Sequence, residues 1–106
     1  MYKFKGSIKE IKDTVTFNKG FQKREFVLIE TDSKFPQIIK FDLFKENTEL
    51  INNYAIGDEI EVKFNLKGRE YNNNYYTTLE VYAIIFIKQN NYSVINNLDD
   101  NQNLPF

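Results

Sequence analysis

The sequence predicts an all-β domain, a five-stranded Greek-key barrel with one short helix between the third and fourth strands. Two patterns carry that expectation. Ile60, Val62, Phe64 and Leu66 alternate strictly with Glu59, Glu61, Lys63, Asn65 and Lys67, the period-2 signature of a half-buried strand. Over Phe44 to Tyr54 the period changes: Phe44, Ile51 and Ala55 recur at near-helical spacing, as do Leu50 and Tyr54. Strand-like segments flank that stretch on both sides.

Strand one runs from Tyr2 to Lys12. Phe4, Gly6 and Ile8 share one face and Lys3, Lys5, Ser7 and Lys9 the other. Ile11 breaks the parity, which predicts a bulge near Lys9–Glu10, the device that bends a long strand around a barrel. Asp13 to Gly20 reads as a loop with an exposed Phe17. Strand two, Phe21 to Thr31, is apolar on both faces in its second half (FVLI), as a central strand should be. Asp32 to Pro36 turns the chain. Strand three, Gln37 to Leu43, sets Ile39, Phe41 and Leu43 against Ile38, Lys40 and Asp42. After the helix, Gly57–Asp58 turns the chain into strand four. Gly68 to Asn74 reads as a loop and Tyr75 to Ile87 as strand five. This element order is that of the OB barrel, whose helix closes one end.

Residues 1–87 thus form the expected barrel, and residues 88–106 a polar linker and tip. Gln89 to Asn97 is Asn-rich without periodicity. The chain of 106 residues has 42% hydrophobic and 16% aromatic content, enough for a single core. Its longest apolar run, Ala83 to Ile87, is far short of a membrane span, and MYKFKGSIKE lacks the apolar centre of a signal peptide. The expectation is a protein of the cytoplasm, on the nucleoid or, if phage-encoded, in the host.

Cysteine and histidine are absent, which removes thiolate and imidazole chemistry and the common zinc ligand sets. No acid pair and no Gly-rich phosphate loop stands in their place. The reading is a protein without catalysis, metal or cofactor. Net charge is −1, yet Met1 to Arg24 carries seven basic residues against two acids. Lys3, Lys5 and Lys9 read as a solvated strand face, which also blocks edge pairing.

Strand face and loops together point to nucleic acid. Phe21, Lys23 and Arg24 open strand two, Lys40 lies on strand three, and Arg69, Tyr71, Tyr75 and Tyr76 crowd the hairpin loop. Phe17 sits in the first loop. These are the places where an OB barrel holds a strand, and rings beside cations supply one stack per base and one charge per phosphate. Tyrosines in a twisted hairpin also serve as cross-strand pairs, and Phe21 alone is equally a core residue.

Two resemblances extend the reading. The end of the chain, with Asp99, Asp100, Leu104, Pro105 and Phe106, resembles the acidic C-terminal tip of bacterial single-stranded DNA-binding proteins. It departs from them in Asn101-Gln102-Asn103, which separates the acids from Leu-Pro-Phe. The resemblance implies sequence-independent binding and protection of single-stranded DNA in replication, recombination or repair. It also implies a tip that recruits partner proteins, and self-association. The body, through Gly20 to Phe26, Lys40–Phe41 and Gly68 to Tyr71, resembles a small group of bacterial and phage proteins of unassigned function. The alternatives left open are an OB protein-interaction adaptor of a replication or phage complex and an RNA-binding barrel, since stacking does not sense the 2′-hydroxyl.

Overall fold

The alternation read from the sequence is realised in six strands. The computed structural model describes residues 2–89. The strands are β1 (Tyr2–Ile11), β2 (Val15–Thr16), β3 (Gln22–Glu30), β4 (Ile38–Phe44), β5 (Glu59–Tyr71) and β6 (Asn74–Lys88). A 3₁₀ turn, Asn18–Gly20, precedes β3, and a 3₁₀ helix, Lys45–Asn53, lies between β4 and β5. The order across the sheet is β1-β5-β6-β4-β3-β2, and β1 also pairs with β3. That extra pairing closes β1, β5, β6, β4 and β3 into the five-stranded OB barrel. Only the two-residue β2, inside the expected first loop, is additional. It makes the helix fall after the fourth strand in chain order, although it follows the third strand of the barrel.

Closure depends on β1 serving two neighbours. Tyr2 to Ser7 pairs with β5, and Gly6 to Ile11 with β3. At the crossover a Cβ on Gly6 would lie 2.5 Å from the Ile29 carbonyl oxygen, so only glycine lets the strands approach. The register then slips between Ile8 and Glu10, which is the bulge expected near Lys9. β4 meets β6 in parallel at one pairing, Asp42 with Glu80.

The inward parity of each strand builds the core. Ile8, Phe26, Leu28, Phe41, Leu43, Ile60, Val62 and Val81 are buried there, and Ile51 of the 3₁₀ helix closes the end. Phe41 sits among Phe4, Phe26 and Phe64, with ring centroids 5.2–5.7 Å away. Aromatic pairs at this separation add to the burial of their area.

The expected loop Gly68 to Asn74 is mostly strand. β5 and β6 stay paired to Tyr71↔Asn74, and the turn is Asn72–Asn73, with φ of 51° and 65°. Two left-handed residues are what a two-residue hairpin turn needs, and Asn adopts that region at low cost. The result is an arm that continues beyond the barrel. Residues 90–106 lie outside the described residues, and with them the linker and the tip residues Asp99, Asp100, Leu104, Pro105 and Phe106. Among the described residues no helix is long and apolar enough to cross a membrane.

Candidate nucleic-acid interface

Which side chains can share a face follows from strand alternation. On β3 the inward residues are Phe26 and Leu28, so Phe21, Lys23 and Glu25 face out. On β4 the outward set is Lys40, Asp42 and Phe44. Phe21 and Phe44 meet with ring centroids 5.6 Å apart, and Phe17 extends the row at 6.3 Å from Phe21. Phe17 and Phe21 remain exposed, and Phe44 is half-buried.

The arm supplies the facing wall. Arg69 pairs with Tyr76 across the strands. Its guanidinium lies 5.6 Å from the Tyr76 ring centre and 5.9 Å from that of Tyr71, so one cation is held between two rings. Between barrel and arm runs a groove of about 490 Å³, lined by Phe21, Phe44, Lys45, Lys67, Arg69 and Tyr76 among others. Phe17, Phe21 and Phe44 thus form a row of rings on the barrel, and Tyr76 and Tyr71 flank Arg69 on the arm. Phe21, Phe44 and Tyr76 face one another across the groove. Stacking on successive rings with charge alongside is how a single strand is held without base readout.

Two expected members lie off this face. Arg24 has inward parity at the barrel's end, and its guanidinium is engaged there. Nε donates to the Lys12 carbonyl at 2.8 Å, and Nη1 donates to the Thr48 carbonyl at 3.2 Å and to Asn52 Oδ1 at 2.6 Å. It ties β3 to the end of β1 and to the 3₁₀ helix. Tyr75 pairs with Glu70, one position out of step with Arg69 and Tyr76. It projects from the opposite face of the arm, 79% exposed.

Phe44, Lys45 and Lys67 were missed by sequence reasoning. Phe44 was placed on the helix, whereas it ends β4. Its even spacing from Lys40 and Asp42 was the available signal. Lys45 directly follows Phe44, and Lys67 lies two residues before Arg69 on the same face; the packing of arm against barrel brings the two cations to one groove.

Lys23 and Lys40 stand on the expected face, but both are paired. Glu25 Oε2 lies 3.3 Å from each ammonium. Partial burial pushes the Glu25 carboxyl up, and the hydrogen bonds and charges of the two lysines outweigh it, holding the group below its ordinary value. Its cross-strand neighbour Asp42 is 4% exposed, and its Oδ1 has no hydrogen-bond partner. Burial raises the Asp42 pKa, Lys23 and Lys40 only partly offset this, and Glu25 adds to it. On β6, Glu80 accepts from Lys67 at 2.8 Å. Among the described residues no group of His, Cys, Asp and Glu is placed to hold a metal ion.

Asp42 carries a pH prediction. Its proton is held more tightly in the folded than in the unfolded chain, so its ionisation opposes folding. That cost develops as pH rises above the unfolded value of about 3.9 and is full above the raised folded value. Asp42→Asn should therefore raise Tm at pH 7, and the gain should shrink as the pH is lowered towards 4. A lower Tm at pH 7 would mean that the carboxylate is needed by its lysine neighbours.

Comparison with known proteins gives fold and family. The family model described as "Domain of unknown function (DUF3127)" matches residues 3–85. No curated protein matches the sequence. Among solved structures, the mitochondrial single-stranded DNA binding protein Rim1 of S. cerevisiae is similar, with a TM-score of 0.69 at 12% identity. The match covers 83% of this chain and 95% of that one. The N-terminal domain of the PriB protein from Thermoanaerobacter tencongensis, a dimeric structure, matches with a TM-score of 0.62 at 13% identity, over 83% and 96% of the two chains. The SSB domain of a Synechococcus protein matches with a TM-score of 0.62 at 13% identity, over 79% and 91%.

Proposed function

We propose that this chain, which belongs to the DUF3127 family, holds single-stranded DNA in the groove between its OB barrel and the β5–β6 arm. The observation that carries the reading is the groove with the Phe17–Phe21–Phe44 row on its barrel side and Tyr76, Arg69 and Tyr71 on its arm side. Rings take bases of any identity, and Lys45, Lys67 and Arg69 along the groove would meet phosphates. Binding of this kind protects exposed strands during replication, recombination or repair and requires neither catalysis nor cofactor. The likeness of the fold to single-stranded DNA binding proteins supports the same reading.

The finer parts of the proposal are self-association, a cytoplasmic or nucleoid location, and a tip at Asp99, Asp100, Leu104, Pro105 and Phe106 that recruits replication and repair proteins. A terminal ring for a pocket, with acids for steering, is suited to capturing a basic partner surface. One observation favours a second reading, a protein-interaction OB module: Glu25, Asp42 and Glu80 share the face with the lysines.

Titration against labelled oligo-dT separates the two. Binding should fall with log salt at a slope of about −0.7 per phosphate contact. Absence of binding at low salt favours the protein-interaction module. Equal competition by a matched RNA would remove the preference for DNA.

A further inference from the structure

The lysines that the sequence assigns to phosphate already hold an anion. Lys23 and Lys40 flank a single carboxylate oxygen, Glu25 Oε2, at 3.3 Å each. The alternation of charge continues across the face. Asp42 stands across from Glu25, Glu80 is bridged to Asp42, and Lys67 is 2.8 Å from Glu80. Glu25, Glu80 and the buried Asp42 therefore offset the three lysines of the face where a strand would lie. An ammonium pair closed over one anionic oxygen is the arrangement a bridging phosphate would make.

We propose that Glu25 is a built-in stand-in for phosphate: a bound strand must take its place between Lys23 and Lys40, which makes Glu25 the residue that limits affinity on the β3–β4 face. The inference rests on the single-strand reading above. The exchange is accessible, because ion pairs with this much solvent contact are individually weak. Each exchange still returns a carboxylate to the neighbourhood of the phosphates and subtracts from the gain. Affinity then depends on the rings, with charge contributing little until Glu25 is displaced. A protein built in this way can release and rebind strands readily.

The test is Glu25→Gln, which keeps the shape and removes the charge. Affinity for oligo-dT should rise about three- to tenfold, one weak pair per lysine released. The salt slope should steepen towards an additional −0.7 per lysine. The gain should vanish in a Lys23→Gln, Lys40→Gln background. Glu61→Gln, the same change of charge elsewhere on the barrel, should alter affinity by less than about twofold, as surface charge changes remote from the ligand do. Unchanged or weaker binding by Glu25→Gln, in a variant with wild-type Tm, overturns the proposal. If no variant binds oligo-dT, the single-strand reading fails. Pyrophosphate, followed through the Lys23 and Lys40 side-chain NMR signals, then decides the exchange alone. Tighter pyrophosphate binding by Glu25→Gln supports it, and an equal response in both proteins overturns it.

Discussion

Tyr76→Ala is expected to weaken oligo-dT binding by about 1–3 kcal/mol, roughly fivefold to 150-fold, while Tyr75→Ala leaves it unchanged. The two residues are adjacent in sequence and equal in chemistry. They differ in which face of the arm they occupy. Tyr76 lines the groove and lies under the Arg69 guanidinium, whereas Tyr75 projects from the other side. Both are exposed enough that truncation should change Tm little, so a binding loss in Tyr76→Ala cannot be assigned to unfolding. Fluorescence anisotropy with Tm measured on each variant reads both quantities. Equal losses at the two positions would show that the whole hairpin tip, and not one face, meets the strand.

That contrast also shows why part of the site was not read correctly from sequence. Clustering of Lys23 with Arg24, and of Tyr75 with Tyr76, suggested shared surfaces. Consecutive strand residues point to opposite faces, so one member of each pair had to lie elsewhere. The information was present in Phe26 and Leu28, whose inward parity includes Arg24. Strand existence was legible because apolar alternation survives in a barrel with one wet face. The arm was not, because NNN reads as loop, while Asn72 and Asn73 make a tight turn that leaves the flanking residues paired. Lys45 follows Phe44 in the chain, and Lys67 shares the parity of Arg69 on β5. The packing of β4 against β6 brings Lys67 near Phe21 and Phe44. The burial of Asp42 has the same origin: its outward parity predicts exposure, and the crossing strand removes it.

The likeness to single-stranded DNA binding proteins is at 12–13% identity, which shows the barrel and not the roles of its side chains. The mixed charge of the β3–β4 face is the feature that most separates the two readings of function. A surface relying on bulk attraction would not place Glu25 and Asp42 among its lysines. One relying on rings can, because stacking does not require a net positive surface.

Phe41→Ala is expected to have the largest effect on the protein itself, a loss of about 3–5 kcal/mol in stability. The ring is fully buried and packs on Phe4 of β1, Phe26 of β3 and Phe64 of β5. It therefore joins β4 to three other strands of the barrel, and its removal leaves a cavity that four rigid backbones cannot collapse. Against a typical domain stability of about 5–15 kcal/mol, this approaches complete unfolding at 37 °C. Function should follow stability here, because Lys40 and Asp42 flank Phe41 on the outer face and Phe44 ends the same strand. Phe21→Ala is the counterpart: the ring is partly exposed in the groove, so affinity should fall with little change in the denaturation midpoint. Urea denaturation of both variants checks the pair. A cost below about 1 kcal/mol for Phe41→Ala would place that ring at the surface, and with it the whole inward parity on which the site's orientation rests.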